Sequence, residues 1–110
     1  MRRLLKIDIE RILEQLVLRR ELLLNRWSFH RDRTPFLWTS FSRWPTLGYP
    51  QLQALDTSLT LVLDDFYAEL EAFRLYIRST EDMPEALEEV YDESLEALDL
   101  RGKLALEALQ

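Results

Sequence analysis

Several residue types on which protein chemistry depends are scarce or missing in this chain of 110 residues. It contains no cysteine, one histidine and two glycines. Without cysteine there is no disulfide framework, no thiolate metal site and no thiol nucleophile. A single histidine removes the usual zinc and histidine-based acid–base sites, and two glycines leave no room for a glycine-rich phosphate loop. The composition therefore predicts no cofactor and points away from the common classes of enzyme.

Long hydrophobic runs are missing as well. Asp8 and Glu10 follow the basic N-terminal stretch before an apolar segment of signal-peptide length can form. No uncharged run approaches the roughly 20 residues that a membrane-spanning helix needs. We therefore expect a cytoplasmic protein without a membrane partner. The length and the 47% hydrophobic content fit one helical domain over residues 1–110.

The few prolines and glycines divide the chain into three segments. Four of the six cluster in one region: Pro35, Pro45, Gly48 and Pro50. The segments 1–34, 51–83 and 85–101 contain neither residue type, so each can form an uninterrupted helix. Pro84 suits the first turn of the third helix. Gly102 is interpreted as the stop signal that ends it.

Hydrophobic residues in all three segments recur with the period of an α-helix. The second segment has the clearest seam, in steps of three and four: Leu52, Leu55, Leu59, Val62, Phe66, Leu70, Phe73 and Ile77. The first segment begins with basic residues, which the helix dipole disfavours there, so we expect its regular helix to begin near Asp8. Asp82 and Glu85 resemble a capping box for the third helix. The sequence thus predicts an all-α fold, an antiparallel bundle of three long helices.

An aromatic-rich connector joins the first two predicted helices and leaves room for a short fourth helix over residues 35–44. It holds seven of the twelve aromatic residues: Trp27, Phe29, Phe36, Trp38, Phe41, Trp44 and Tyr49. Arginines alternate with them, and this combination is typical of protein interfaces and of nucleic-acid binding. The same side chains can instead form a buried lid over the helices. The sequence leaves both alternatives open.

If the connector is exposed, its aromatic and basic side chains form the candidate protein-interaction site: Phe36, Trp38, Phe41, Arg43 and Trp44. The leading hypothesis is a non-enzymatic adaptor or regulator that docks this surface on another protein. We also expect a homodimer or higher oligomer built on helix contacts. The reason is that a second helix over residues 50–78 would be roughly 43 Å long, which is long for a globular monomer of this size.

Charge is divided unevenly along the chain. Residues 1–43 have ten Lys and Arg against five Asp and Glu, a net charge of +5, whereas residues 44–110 have four against fifteen, a net charge of −11. The basic part suggests an alternative function in nucleic-acid association, through Arg2, Arg3, Lys6, Arg19, Arg20 and Arg26. The overall charge of −6 opposes DNA binding. We favour an arrangement in which the basic first helix packs beside the acidic third.

The acidic row of the third helix supplies a further alternative. Glu88-Glu89-x-x-Asp92 followed by Glu96-x-x-Asp99 resembles the EExxE and ExxD clusters of all-α nucleoside triphosphate pyrophosphohydrolases. That resemblance implies a Mg²⁺-dependent hydrolase. In the family the two clusters belong to different helices and face inward, whereas here both lie on one predicted helix, opposite its apolar face. A solvated helix face is therefore the favoured interpretation of these carboxylates.

Overall fold

The computed structural model of the chain describes residues 2–30, 33–40, 57–80 and 84–110. These ranges contain five α-helices: α1 (Arg2–Leu18), α2 (Arg20–His30), α3 (Thr34–Thr39), α4 (Thr57–Ser79) and α5 (Pro84–Leu109). No strand occurs in the described ranges. The predicted all-α class is therefore confirmed, and the short fourth helix is present as α3.

The three long helices α1, α4 and α5 pack against one another, with α5 antiparallel to both of the others. At one end of the bundle Arg2 of α1 lies beside Ala108 of α5, and towards the other end Arg20 reaches Asp92. The described part of the molecule measures 45 × 23 × 17 Å. The monomer is itself elongated, so the length of the second helix is accommodated within one chain.

The core is a continuous apolar cluster between these helices. Helix α4 contributes one buried stripe: Leu59, Leu63, Phe66, Tyr67, Leu70, Phe73 and Ile77. Five of the eight predicted seam residues belong to this stripe, and Val62 is partly buried against the core. The other two, Leu52 and Leu55, lie outside the described residues, as does Asp82 of the predicted capping box.

The start of the first helix differs from the prediction, because α1 begins at Arg2 rather than near Asp8. Leu5 and Ile9 are buried in the core. Their packing outweighs the unfavourable interaction of the basic N-terminal residues with the helix dipole. The Arg2 guanidinium also donates a hydrogen bond to the carbonyl of Ala108, 3.5 Å away near the C-terminus of α5. A cation is stabilised at that end of a helix.

The first segment also forms two consecutive helices instead of one, with a break at Arg19. The helical hydrogen-bond pattern nevertheless continues across the break. The amide of Arg19 donates to Gln15, and the amide of Leu23 donates to Arg19, each over 2.9 Å. The chain therefore keeps a helical path from α1 into α2.

Gly102 does not end the third helix, contrary to the prediction, and α5 continues through it to Leu109. Gly102 is buried, and a Cβ atom at this position would lie 2.7 Å from Cδ1 of Leu13. The buried stripe of α5 also runs past it, through Leu98, Ala105 and Leu109. Gly102 leaves room for the Leu13 side chain of α1 and does not mark a turn.

Tyr91 of α5 joins three helices at the centre of the core. Its hydroxyl donates a hydrogen bond to the carbonyl of Leu16 in α1. Its ring meets Phe36 of α3 and Phe73 of α4 edge-on, with centroids 6.0 and 5.6 Å away. Burial raises the pKa of the Tyr91 phenol above its ordinary value.

We expect Tyr91 to make the protein less stable in alkaline solution. The phenol has a raised pKa in the folded state, whereas in the unfolded chain it has its ordinary pKa of about 10. Above that pH the unfolded chain loses the proton and the folded chain keeps it, so deprotonation shifts the equilibrium towards unfolding. The free energy of unfolding should fall with pH more steeply in the wild type than in Tyr91→Phe, by up to about 1.4 kcal/mol per pH unit. Urea unfolding at a series of alkaline pH values measures both slopes, and equal slopes would contradict the expectation.

Candidate functional site

Helix α3, the described part of the connector, lies on the bundle against α1, α2 and α4. Pro35 occupies its first turn, where the missing N–H has no intrahelical partner to lose. Arg74 of α4 holds the other end by donating hydrogen bonds to the carbonyl of Leu37 (2.7 Å) and to Oγ of Ser40 (3.0 Å). The Ser40 hydroxyl in turn donates to the carbonyl of Phe36. These contacts fix the orientation of a helix that is too short to be stable alone.

The two faces of α3 have opposite environments. Phe36 is only 1% exposed and packs on Tyr91 in the core, whereas Trp38 is 74% exposed. Residues two apart on a helix point in nearly opposite directions, which explains the contrast. Phe36 is therefore part of a lid and is inaccessible to a partner in this structure, while Trp38 presents the exposed aromatic surface. The other candidate residues, Phe41, Arg43 and Trp44, lie outside the described residues.

Trp38 borders an open groove of about 410 Å³ between α3 and α1, which we call the Trp38 groove. Its lining consists of Arg11, Gln15, Arg19, Trp38 and Thr39. The three residues of α1 follow one another at intervals of four, so they project from successive turns on one side of the helix. The groove thus combines an indole ring, two guanidinium groups and an amide on helical supports.

The two arginines of the Trp38 groove differ in their surroundings. Nη2 of Arg11 lies 3.1 Å from Oδ1 of Asp8, a buried carboxylate that also accepts a hydrogen bond from the Tyr67 hydroxyl over 2.8 Å. This chain of contacts orients the Arg11 guanidinium. Arg19 is exposed, and it forms no ion pair with any residue that the structure describes. Its charge is therefore available to a bound carboxylate.

Thr39 adds a polar group at the floor of the groove. Its side chain is buried, and its Oγ1 atom has no hydrogen-bond partner among the described residues. A buried hydroxyl without a partner costs about 1–3 kcal/mol, and its burial keeps the Oγ1 atom out of direct contact with a ligand in the groove. The groove can bind a carboxylate through its guanidinium groups while an apolar group covers the indole.

No family matches. Comparison of the chain with protein-family models, with curated proteins and with solved structures finds no significant similarity. The chemistry of the groove is thus the basis for a functional interpretation.

The sequence interpretation named Trp38 as a site residue but missed Arg11, Gln15 and Thr39. Arg19 was assigned only to the nucleic-acid alternative. A signal for the α1 side of the groove is present in the sequence, because three polar residues with hydrogen-bond donors recur every four positions on a predicted helix. Nothing in the sequence places that row beside α3, because the contact depends on how the connector folds back.

The basic residues proposed for nucleic-acid binding are partly used inside the molecule. Arg20 donates hydrogen bonds to Asp92 (2.7 and 2.8 Å) and to Glu88 (2.8 Å) of α5. Hydrogen bonding from Arg20 holds the pKa of Asp92 below its ordinary value. The prediction that the basic first segment packs beside the acidic third helix is confirmed by these contacts within one chain. Arg3 and Lys6 are exposed on α1, and the Arg26 side chain is not among those described.

The acidic row of α5 lies on its solvent side, with Glu85, Glu89, Glu93 and Glu96 all exposed. In the described part of the chain, no three His, Asp or Glu side chains come together in a way that could hold a metal ion. The arrangement offers no support for the Mg²⁺-dependent alternative. Among the same residues, no helix has the length and apolar character needed to cross a membrane.

Proposed function

We propose that this protein is a non-enzymatic interaction module that binds another protein through the Trp38 groove. The observation that carries the proposal is a tryptophan that is 74% exposed next to two arginines on a helical scaffold. Tryptophan and arginine are the residue types that most often dominate the binding energy of protein interfaces. The bound segment of the partner would carry a carboxylate for the arginines and an apolar side chain for the indole.

The anchoring of α3 supports this function energetically. Phe36 is buried on the opposite side of α3 from Trp38, and Arg74 holds the C-terminal end of the helix, so the indole is displayed from a support that is already ordered. Binding to an ordered surface costs less conformational entropy than binding to a flexible one. The Arg11 guanidinium is likewise oriented by Asp8 before any partner arrives.

We expect Trp38→Ala to weaken partner binding by a factor of about 30 or more, which is typical of a central interface tryptophan. Partners are first captured from a lysate with the wild-type chain, and each captured protein is then purified and titrated directly. Leu75→Ala is the matched control, because Leu75 is also a large exposed hydrophobic residue but lies on α4, outside the groove.

Arg19→Ala should weaken the same interaction less than Trp38→Ala and should reduce its salt dependence, since it removes one charge contact. Circular dichroism must show unchanged helix content for each variant. If every directly binding partner has the same affinity for Trp38→Ala as for the wild type, the groove is not the docking site.

A further inference from the structure

A row of large hydrophobic side chains runs along the solvent side of α1 and into α2. Leu4, Ile7, Leu18 and Leu22 are 58, 53, 68 and 51% exposed. At about 100° per residue, these four positions and the charged positions 11 and 14 fall within about 80° of one another. We call this set of six residues the outer face of α1. The core residues of α1 lie on the other side of the helix.

Leu22 stays in line with the residues of α1, even though it belongs to α2, because the helical hydrogen bonds persist across Arg19. Single exposed hydrophobic residues are ordinary on a protein surface, but several large ones aligned on one side of a helix are typical of an interaction site. Here they form two pairs, Leu4 with Ile7 and Leu18 with Leu22, and the charged residues Arg11 and Glu14 lie between the pairs. The identity of the partner follows from this central pair.

The outer face of α1 has the same pattern when it is followed from either end. Two hydrophobic residues come first, then one charged residue on each side of the midpoint, then two more hydrophobic residues. Two copies can pack antiparallel about a twofold axis that crosses the helix at the level of residues 12 and 13. In that arrangement Ile7 of one copy meets Leu18 of the second, and Leu4 meets Leu22. The same axis places Arg11 of each copy opposite Glu14 of the other.

Charge selects this arrangement over its alternatives. Parallel packing of the same two faces would place Arg11 against Arg11 and Glu14 against Glu14, and like charges in contact are unfavourable. The Arg11 side chain is 38% exposed and its guanidinium carries five N–H groups, so its contacts within the chain, among them the one with Asp8, are compatible with a further carboxylate on the solvent side. An antiparallel pair therefore satisfies both the apolar and the charged positions.

The outer face of α4 also exposes two leucines, Leu61 and Leu75, and it provides a comparison. Its neighbouring charged residues are mainly acidic, with Asp64, Asp65 and Glu71 against the single base Arg78, and an antiparallel pairing of Leu61 with Leu75 would place Asp65 opposite Glu71. Packing two copies of this face together would bring carboxylates towards carboxylates. It lacks the self-complementarity of the outer face of α1.

We propose that the outer face of α1 is the interface of a homodimer in which two copies of α1 pack antiparallel about a twofold axis. The outer face of α1 shares Arg11 with the Trp38 groove but is otherwise a separate surface, and its occupant is a second copy of the chain. An interface of this kind is isologous, so every substitution in it acts twice. A single helix pair buries little area, so the dimer should dissociate on dilution.

Sedimentation equilibrium over a wide concentration range tests the interface. The wild type should shift from monomer to dimer, and Leu18→Asp should raise the dimer dissociation constant by about tenfold or more, because two carboxylates would be buried against apolar groups. Glu14→Arg should act in the same direction by placing two arginines opposite each other. Leu61→Asp is the matched control on α4 and should behave as the wild type. A monomeric wild type at every concentration, or equal effects of Leu18→Asp and Leu61→Asp, would overturn the proposal.

Disulfide crosslinking tests the antiparallel orientation, and the chain contains no cysteine that would interfere. A mixture of the Ile7→Cys and Leu18→Cys variants should form a crosslinked heterodimer under mild oxidation. Ile7→Cys alone should crosslink slowly, because antiparallel packing separates its two copies by about 16 Å along the helices, whereas a disulfide needs Cα atoms within about 7 Å. Rapid crosslinking of Ile7→Cys with itself would indicate parallel packing and overturn the proposal.

Discussion

Replacement of Asp8 by alanine is expected to lower the free energy of unfolding by about 3 kcal/mol. Asp8 is a buried carboxylate that accepts a hydrogen bond from the Tyr67 hydroxyl at 2.8 Å and lies 3.1 Å from the Arg11 guanidinium. The alanine variant would leave the Tyr67 hydroxyl buried without this acceptor and would remove the negative charge beside Arg11. Urea unfolding monitored by circular dichroism measures the loss.

Two further variants separate the contributions to this effect. Asp8→Asn keeps an oxygen that can accept from Tyr67, so it should cost less than Asp8→Ala. Tyr67→Phe removes the donor instead, and the double variant Asp8→Ala/Tyr67→Phe should cost less than the sum of the two single variants. Glu10→Ala is the matched control, because Glu10 is an exposed acid on the same helix. If Asp8→Ala were no more costly than Glu10→Ala, the assigned role of Asp8 would be wrong.

Replacement of Gly102 by leucine is the second substitution with a large expected effect. A Cβ atom added at this position would already lie 2.7 Å from Cδ1 of Leu13 and 3.4 Å from Cε2 of Phe66, so the further atoms of a leucine side chain have no space between α5, α1 and α4. We expect a loss of about 3 kcal/mol in the free energy of unfolding, at the upper end of the usual cost of overpacking. Thermal and urea unfolding provide the measurement.

Gly102→Ala should have a much smaller effect than Gly102→Leu. Alanine gains about 1 kcal/mol in helix propensity over glycine, and the one atom that its Cβ would crowd is the end of a flexible leucine side chain. Ala86→Leu is the control, since it adds the same side chain at an exposed position of α5. Comparable stability of Gly102→Leu and Ala86→Leu would show that α1 does not approach α5 as closely as described.

Arg11 belongs to both proposed interaction surfaces, but other residues belong to one surface only and allow the two to be tested separately. It lines the Trp38 groove and also lies at the centre of the outer face of α1. Trp38 and Arg19 belong only to the groove, whereas Leu18 and Glu14 belong only to the outer face. Variants at these four positions therefore distinguish the binding of another protein from self-association.

Several parts of the fold could be predicted from the sequence because they depend on local periodicity. Apolar residues in steps of three and four make one side of a helix hydrophobic, and that pattern correctly predicted the buried stripe of α4 and the all-α bundle. The unequal charge of the two parts of the chain correctly predicted basic residues beside α5, as Arg20 shows. The candidate site was predicted only as a region, the aromatic connector, and the sequence did not distinguish the buried Phe36 from the exposed Trp38.

Tertiary structure decided the features that depend on distances between helices. A glycine can end a helix or allow another helix to approach it, and only the position of Leu13 shows that Gly102 does the second. In the same way, Asp8 is buried in the core although it is acidic, because its carboxylate accepts a hydrogen bond from Tyr67 and pairs with Arg11. The orientation of α3 on the bundle determines which of its aromatic side chains are buried: Phe36 faces the core and Trp38 faces solvent. The absence of cysteine, histidine pairs and glycine loops was visible in the sequence alone, but the groove beside Trp38 exists only once α3 has packed against α1.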